Sequence, residues 1–294
     1  ALRGRLTGIA MPAYVLDITL LKRNLQTAQR IKSETGIKML FATKSWAMPA
    51  AFPLMRDVLD GTTASGLYEA HLGREEFGKE VHVYAPAYTV DELEELTFIA
   101  DHIYFNTPAQ LRRYLPAVRA AGRHAGLRIN PGFSFVTLGG DLYNPCATGS
   151  RFGTPADQLD EAPWDDIHTL HAHALCEATH EGSAGLIAHV ARAFAPYLNR
   201  VKAVNFGGGH FINKPGYDVS RLIAALSEFR AQFPHLDVIL EPGAGLVVDT
   251  GYLVATVLDT MRNGSDIAIL DTSASTHMPD VLEVPYTPEI IGAG

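Results

Sequence analysis

The feature that most constrains the fold is a regular alternation of short apolar, strand-like runs with segments of helical periodicity. Eight runs have this character: KMLFAT (38–43), DGTTAS (60–65), VHVYAP (81–86), HIYFN (102–106), AGLRIN (125–130), IHTLHAHAL (167–175), VKAVNFG (201–207) and DVILEPG (237–243). Such alternation is typical of parallel βαβ units. Eight successive units favour an α/β fold closed into a (β/α)8 TIM-type barrel over a doubly wound open sheet.

Both ends of the chain depart from this repeat. Three further strands are predicted outside it: PAYVLD (12–17), LVVDTGYLVATVLDTM (246–261) and SDIAILDTS (265–273). We therefore expect a barrel domain over residues 18–245 and a β-rich second domain built from residues 1–17 and 246–294. The second domain is expected to be incomplete, with further residues after Gly294.

The composition excludes several classes of protein. The 294 residues are 47% hydrophobic and 19% charged, which is typical of a globular protein with a sizeable core. No run approaches the ~18 apolar residues that a membrane helix needs, so no membrane partner is expected. The net charge of −8 argues against nucleic acid and suits a cationic small molecule. Cys146 and Cys176 cannot build a disulfide framework, which favours a reducing, cytoplasmic location.

Polar residues stand where the predicted strands end. TIM-barrel enzymes carry their reactive groups at these carboxyl ends. In this sequence the positions hold Lys44, Ser65, Asn106, Arg128, Asn130, His171, His173, Gly207, Gly208, Gly209 and Glu241. Their convergence on one end of a barrel predicts an active site there. Lys44 is the most telling of them, because a lysine that ends an apolar strand needs a partner.

The glycines and histidines each permit two interpretations. The run GGGH (207–210) is either a plain tight turn or a cradle for an anion, and its place after the seventh strand favours phosphate. His171 and His173 share one face of a strand, either as hydrogen-bonded core residues or, with Cys176, as zinc ligands. Against zinc, the sequence offers no compact set of Asp and His residues to close such a site.

A buried carboxylate at Glu241 also requires a partner. It could form a structural salt bridge with Arg128, or it could hold a proton on a ring nitrogen of a ligand. One ligand accounts for all these groups: pyridoxal 5′-phosphate has a phosphate for the glycines, an aldehyde for Lys44 and a pyridine nitrogen for Glu241.

Specific segments resemble the alanine racemase-like, fold type III pyridoxal phosphate enzymes, and within them the carboxynorspermidine/carboxyspermidine decarboxylase family. The segments are YVLD, FATKSWAM, LDGTTASGLYEAHLGREEFGKEVHVYAPAY, DHIYFN, LRINP, DLYNPCATGSRFG, LHAHALCE, VNFGGGHF, LEPG, GYLVATVLD and ILDTSASTHMPDVLEVPY. They cover most of the chain. The pieces DLYNPC, GSR, HALCE and HMPDVLE are specific to the subfamily.

The resemblance implies roles for particular residues. Lys44, His173 and Glu241 are implied to be catalytic, with the ring of His173 stacked on the cofactor. The residues implied to bind the cofactor are Lys44, Arg128, His173, Cys176, Gly207, Gly208, Gly209, Glu241 and Gly243. His277 and Asp280 are implied to contact the substrate, where a carboxylate suits a distal ammonium group. No metal ion is expected.

The sequence departs from the family at Ala244, where related enzymes often carry an arginine. A cysteine-containing loop that enters the partner's active site and a tyrosine that contacts the phosphate would both lie after Gly294. The family implies a homodimer with shared active sites that converts carboxynorspermidine or carboxyspermidine to norspermidine or spermidine. The alternatives are a decarboxylase for diaminopimelate, ornithine or arginine, a metal-dependent barrel hydrolase, and a non-catalytic homologue that binds the cofactor. A racemase is disfavoured, because racemases usually place an arginine against the pyridine nitrogen.

Overall fold

A computed structural model describes residues 8–136, 143–283 and 286–291. The chain divides into two compact units. One unit comprises Leu21–Val248, and the other comprises Ala1–Leu20 together with Asp249–Gly294. None of the helices in the described part of the chain is both long and apolar enough to cross a membrane.

Eight parallel strands close into a barrel, which confirms the predicted fold class. The strands of the whole chain are β1 (Ala13–Leu16), β2 (Lys38–Ala42), β3 (Gly61–Ala64), β4 (Glu80–Tyr84), β5 (His102–Phe105), β6 (His124–Arg128), β7 (Thr169–His171), β8 (Ala203–Asn205), β9 (Asp237–Leu240), β10 (Gly251–Val254), β11 (Val257–Asn263) and β12 (Ser265–Leu270). Strands β2 to β9 form the barrel in sequence order, and β9 pairs with β2 to close it.

Helices follow most of the barrel strands. The helices are α1 (Ile18–Thr35), α2 (Phe52–Arg56), α3 (Leu67–Leu72), α4 (Val90–Ile99), α5 (Pro108–Ala120), α6 (His180–Ala193), α7 (Ala195–Leu198), α8 (Val219–Gln232), α9 (Ala244–Val247), α10 (Ala274–His277) and α11 (Asp280–Glu283). A π-helical turn, Gly73–Phe77, continues α3.

The core lies between the barrel strands and the helices around them. In β2, Met39, Leu40 and Phe41 are completely buried, because a parallel barrel strand is covered on both faces. Helix α8 buries an apolar face made of Leu222, Ile223, Leu226 and Phe229, and Phe233 directly after the helix is buried as well. Asp218 caps this helix, and its Oδ1 accepts hydrogen bonds from the backbone N–H groups of Ser220 and Arg221.

Two predicted strands are shorter in the structure. Strand β7 ends at His171, so His173 follows the strand and does not share its face. On one side β7 pairs with β6 only as far as Arg128, and on the other side it pairs with β8 only as far as Asn205. His171 is therefore the last residue of β7 that is paired with both neighbouring strands. The start of the predicted strand 246–261 is helical instead, since α9 covers Ala244–Val247.

The second unit consists of β1, β10, β11, β12 and the short helices α10 and α11. Strands β1 and β10 pair antiparallel, and β11 and β12 form an antiparallel hairpin. Gly264 joins the hairpin strands with a positive φ of 74°, which favours glycine. The hydroxyl of Tyr14 donates to the backbone carbonyl of His277 over 2.6 Å.

Candidate active site

A cavity of about 730 Å³ opens at the carboxyl ends of the barrel strands. Five of the residues predicted to hold a cofactor line it: Lys44, Arg128, His173, Cys176 and Glu241. Residues between Tyr143 and Phe152 line it as well, in a polar loop that connects β6 to β7. The structure therefore brings the main predicted groups together in one place.

Lys44 leaves the core immediately after β2. The chain turns there in a short 3-10 helix, Thr43–Ser45, in which the hydroxyl of Ser45 donates to the carbonyl of Ala42 over 2.8 Å. The side chain of Lys44 is exposed in the cavity. Its Nζ makes no hydrogen bond or ion pair with any residue that the structure describes. A free amine at the mouth of a cavity is available for covalent bonding to a ligand.

Glu241 follows β9 and is only 3% exposed. Nδ2 of Asn205 donates to its Oε1 over 2.7 Å, and Nε2 of His171 lies 3.3 Å from its Oε2. Burial by itself raises the pKa of Glu241, but His171 and the amide of Asn205 outweigh it and lower the pKa to about 2. The carboxylate is therefore ionised at neutral pH.

Arg128 does not form the salt bridge with Glu241 that was considered from the sequence, since no ion pair joins these two described residues. Its Nη2 donates instead to the carbonyl of His173 over 2.9 Å. Its guanidinium carbon lies 4.4 Å from the ring centroid of Tyr84 and 4.7 Å from that of Phe152. Arg128 thus stabilises the backbone beside the cavity and packs between two aromatic rings.

His173 is held as a neutral imidazole. Burial lowers its pKa well below the ordinary value, and the nearby charge of Lys44 lowers it further. The N–H of Gly208 donates to Nδ1 of His173 over 3.1 Å, so the ring proton must lie on Nε2. A neutral ring that is anchored on one side is suited to stack on the face of an aromatic ligand.

The glycine turn after β8 cannot accommodate larger residues. Gly207 and Gly209 have positive φ angles of 70° and 85°. A Cβ at Gly208 would lie 2.7 Å from the carbonyl oxygen of Glu241, and one at Gly209 would lie 2.2 Å from that of Leu175. The glycines are therefore required by close packing of the turn against His173, Leu175 and Glu241. None of the three glycines is among the described residues that line the cavity, and their contact with a phosphate stays a prediction.

Gly243 allows a second close approach, between the turn after β9 and the turn that carries Lys44. A Cβ at Gly243 would lie 2.5 Å from Oγ of Ser45 and 3.2 Å from Cβ of Ala42. Any side chain there would therefore displace the residue that follows Lys44.

Asn205 was not identified from the sequence, although it connects two parts of the site. It is completely buried at the end of β8. Its Oδ1 accepts from the N–H of Gly207 over 2.8 Å, and its Nδ2 donates to Glu241. The available signal was an amide in an otherwise apolar strand directly before three glycines, because a buried polar group needs partners.

Other predicted residues have different surroundings. Cys176 lines the cavity, and burial raises the pKa of its thiol, so the thiol form dominates at neutral pH. Ser65 also lines the cavity, whereas Oδ1 of Asn106 accepts from Tyr84 and from the backbone of the polar loop. His277 and Asp280 belong to the second unit, and their contact with substrate stays a prediction.

Three groups that could bind a metal ion also converge at the site, with Glu241 and, among the described residues, no Asp beside the two histidines. Potential ligand atoms of His171, His173 and Glu241 all lie within 4.8 Å of one another. Cys176 is not a member of this set. Since Nδ1 of His173 accepts a backbone hydrogen bond, only its Nε2 could turn to a metal ion.

Comparison with known proteins gives several relatives. A carboxyaminopropylagmatine decarboxylase from Synechocystis sp. is 41% identical over 290 residues, which cover 98% of this chain and 74% of that protein. A carboxynorspermidine/carboxyspermidine decarboxylase from Campylobacter jejuni is 38% identical over 285 residues, covering 97% and 73%. No protein-family model matches the chain.

Solved structures agree with these relatives. Carboxynorspermidine decarboxylase from Campylobacter jejuni, complexed with norspermidine, superposes with a TM-score of 0.88 at 37% identity, over 96% of this chain and 72% of that one. A lysine decarboxylase variant from Selenomonas ruminantium, in complex with pyridoxal phosphate, shares the fold with a TM-score of 0.70 at 18% identity, over 95% of this chain and 75% of that one.

The closed barrel and the lysine after its first strand, together with these relatives, define the class: the chain is a fold type III, alanine racemase-like decarboxylase. Within that class, the chain belongs to the carboxynorspermidine/carboxyspermidine decarboxylase family.

Proposed function

We propose that this protein decarboxylates carboxynorspermidine and carboxyspermidine with pyridoxal 5′-phosphate as cofactor, giving norspermidine and spermidine. The observation that carries the proposal is that a free amine, Lys44, and an ionised buried carboxylate, Glu241, both line the same cavity. Relatives at 35–41% identity that are named as decarboxylases of carboxylated polyamines support the substrate class.

The residues present fit pyridoxal phosphate. The free Nζ of Lys44 can bond an aldehyde covalently, and the backbone of the Gly207–Gly209 turn is the expected partner of the phosphate. The ring of His173 can cover one face of a pyridine ring. When bound, the cofactor supplies an electron sink for the electron pair left on Cα as carbon dioxide departs.

The chain's own groups set the protonation of the site. Oε1 and Oε2 of Glu241 stay ionised, because Asn205 donates to one and His171 lies beside the other, so the carboxylate can hold a proton on a basic ring nitrogen. The neutral His173 adds no competing positive charge to that ring. With the cofactor bound, Lys44 would hold it through the aldehyde, and Nζ of Lys44 would be placed to carry a proton whenever it is not bonded to that aldehyde.

A second substrate is favoured by one relative. The Synechocystis protein is named for carboxyaminopropylagmatine. We therefore propose a direct comparison of carboxynorspermidine, carboxyspermidine, carboxyaminopropylagmatine and diaminopimelate, with released carbon dioxide as the readout. The proposal requires the highest kcat/KM with carboxynorspermidine or carboxyspermidine. If carboxyaminopropylagmatine is the preferred substrate, the proposed decarboxylation stands but the proposed substrate is wrong. If diaminopimelate is preferred, the proposal is contradicted.

A metal-dependent hydrolase is the competing function, because His171, His173 and Glu241 converge. Two measurements separate the alternatives. A visible chromophore that borohydride bleaches and fixes to Lys44 supports the pyridoxal phosphate enzyme. One equivalent of bound metal that is lost when His171 or His173 is substituted, in a protein without such a chromophore, supports the hydrolase. A non-catalytic homologue would show the chromophore but release no carbon dioxide.

The quaternary structure and location complete the proposal. We propose a homodimer with shared active sites, which sedimentation equilibrium and mixing of two differently inactivated variants would test. Restored activity in the mixture is expected if partners share a site.

A cytoplasmic location is consistent with the free thiols of Cys146 and Cys176, and fractionation of cells would check it.

A further inference from the structure

Asn106 is a polar residue at the carboxyl end of the barrel to which the proposed chemistry gives no role. It follows β5 directly, between Tyr84 at the end of β4 and Arg128 at the end of β6. Tyr84 and Arg128 line the cavity, whereas Asn106 is not among the described residues that do so. Asn106 therefore lies behind the cavity wall, and any effect it has on a ligand must act through other residues.

The backbone of Asn106 is held on both sides. Its N–H donates to Oε1 of Gln110 over 2.7 Å, and its carbonyl accepts from Oγ1 of Thr154 over 2.9 Å. Thr154 is in turn joined to β6, because its N–H donates to the carbonyl of Arg128 over 2.9 Å. The side-chain amide of Asn106 therefore extends from a fixed backbone.

That amide binds the polar loop between β6 and β7. The segment 143–152 of this loop forms one wall of the cavity and is termed the cavity loop. Nδ2 of Asn106 donates to the carbonyl of Arg151 over 2.8 Å, and Oδ1 accepts from the N–H of Gly153 over 2.7 Å. One amide thus pairs with the backbone on both sides of Phe152, using its donor and its acceptor together. These bonds hold the end of the cavity loop.

The same amide is connected to both ends of a stack of side chains in the cavity wall. The guanidinium carbon of Arg128 lies 4.4 Å from the ring centroid of Tyr84 and 4.7 Å from that of Phe152. The guanidinium carbon of Arg151 lies 4.3 Å from the ring centroid of Phe152. Oδ1 of Asn106 also accepts from the hydroxyl of Tyr84 over 2.7 Å. The first and last members of the stack therefore depend on one residue.

The part of the cavity that Asn106 supports is the part expected to receive the substrate. Most groups expected to hold the cofactor follow β7, β8, β9 and β2, which are consecutive strands of the closed barrel. These groups are His173, Gly207–Gly209, Glu241 and Lys44. The stack and the cavity loop belong to the other half, which comprises β3 to β6.

We propose that Asn106 is a positioning residue for the substrate: its amide keeps the cavity loop in place, and with it Arg151 and Phe152 in the wall that the substrate meets. The proposal rests on the decarboxylase function proposed above. Without the amide, part of the binding energy of the substrate must be used to order the loop. The loss should therefore appear in KM rather than in kcat.

Hydrogen–deuterium exchange of the full, cofactor-loaded chain tests the effect on the loop without any activity measurement. In Asn106→Ala, peptides that cover 143–153 should exchange at least ~10-fold faster than in the wild type, because two hydrogen bonds to this segment are lost. Exchange in α8 serves as the internal reference and should change much less.

Release of carbon dioxide tests the effect on the substrate. Asn106→Ala should raise KM about 10-fold or more, because small displacements of binding groups are costly. The value of kcat should stay within about 3-fold, and the absorbance of bound cofactor should be retained. Asn106→Asp keeps an acceptor for Tyr84 and Gly153 but has no donor for the carbonyl of Arg151. It should therefore lie between the wild type and Asn106→Ala, and it replaces Asn106→Ala if that variant does not fold.

Asn213→Ala is the matched control. Asn213 is half-buried like Asn106, and its Nδ2 also joins backbone segments, since it donates to the carbonyl of Gly245 over 2.8 Å and to that of Asn24 over 3.3 Å. It is not among the described residues that line the cavity. Asn213→Ala should lower stability but leave KM and the exchange of 143–153 unchanged.

Three results would overturn the proposal. They are unchanged exchange of 143–153 in Asn106→Ala, faster exchange without a rise in KM, and an equal rise in KM in Asn213→Ala. If the wild type releases no carbon dioxide from any candidate substrate, the proposed function is wrong, and the exchange measurement still decides whether Asn106 holds the cavity loop.

Discussion

Asn205 and Glu241 form a buried hydrogen-bonded pair in which Nδ2 of the amide donates to Oε1 of the carboxylate over 2.7 Å. The same amide accepts from the N–H of Gly207 over 2.8 Å. One side chain therefore links the glycine turn after β8 to the carboxylate after β9. The ionised state of Glu241 and the shape of the turn depend on a common residue.

Asn205→Ala should lower both stability and activity. It leaves the N–H of Gly207 and Oε1 of Glu241 without their present partners, and each buried unsatisfied group costs about 1–3 kcal/mol. Urea unfolding measures the first effect, and the absorbance of bound cofactor during pyridoxal phosphate titration measures the second. Asn199→Ala, at an exposed position, is the control and should change neither. Unchanged cofactor affinity in Asn205→Ala would contradict the link between the turn and the carboxylate.

Lys44→Ala should abolish turnover without destabilising the fold. We expect less than about 1% of the wild-type rate, because Lys44 carries the one lysine amine among the described residues that line the cavity. The free energy of unfolding should stay within ~0.5 kcal/mol, since Lys44 is exposed and its Nζ has no partner among the described residues. Lys22→Ala, which removes an exposed lysine on α1, should retain full turnover. Full turnover in Lys44→Ala would refute the proposed mechanism.

Gly209→Ala and Gly216→Ala together separate backbone strain from crowding. Both residues have nearly the same positive φ, 85° and 84°. A Cβ at Gly216 meets nothing within 4 Å, whereas one at Gly209 would lie 2.2 Å from the carbonyl oxygen of Leu175. Gly216→Ala should therefore cost only the left-handed strain, about 1–2 kcal/mol. Gly209→Ala should cost clearly more in urea unfolding and should weaken cofactor binding, and equal costs would show that the turn can relax.

Tyr104→Phe tests the polar centre of the barrel. Its buried hydroxyl oxygen lies 2.7 Å from Nδ1 of His82 and 3.2 Å from Nδ2 of Asn205. Removal of the oxygen leaves these groups unsatisfied, and we expect a loss of about 1–3 kcal/mol in the free energy of unfolding. Tyr68→Phe makes the same chemical change at a side chain that is 88% exposed, and it should stay within ~0.5 kcal/mol of the wild type. Similar losses in both variants would exclude a special role for the buried hydroxyl.

His210 predicts how stability depends on pH. Burial lowers its pKa to about 4, so the folded protein holds it neutral, whereas the unfolded chain protonates it near the ordinary value of 6.5. Its contribution is therefore fully present above pH 6.5 and is lost as the pH falls from 6.5 through 4, by about 3 kcal/mol.

Urea unfolding between pH 4 and pH 7 measures this slope. His210→Gln should reduce this slope by the contribution of one histidine and should not abolish it, because burial also lowers the pKa values of His168, His171 and His173. His235→Gln, at an exposed position, should keep the wild-type slope. A slope that is unchanged in His210→Gln would assign the acid sensitivity to other groups.

The fold class was predictable because it is encoded in local patterns. Apolar runs such as residues 38–43 and 237–243 are recognisable as buried parallel strands by their composition and length alone. Their alternation with amphipathic helices leaves few architectures, and the barrel is the one observed. Lys44 and Glu241 could be placed at one end of it, because parallel strands bring their carboxyl ends to the same edge.

Pairings between side chains of distant strands were not predictable in this way. From the sequence, Arg128 was one possible partner of Glu241 beside a ligand nitrogen, whereas within the described chain the structure places Asn205 and His171 next to it. Strand order determines which strands are neighbours, but barrel closure and strand stagger determine which side chains meet inside.

The sequence by itself therefore determined the barrel, the cofactor lysine expected after its first strand and the carboxylate after its last. Only the tertiary structure decided that Glu241 is ionised, that β7 ends before His173, and that the side chains of Glu80, His82 and His102 lie close together. The physical reason is that desolvation and hydrogen-bond geometry depend on atoms brought together from strands far apart in the chain. The pattern of apolar residues in a strand predicts which residues are buried, but it does not predict which buried polar groups contact one another.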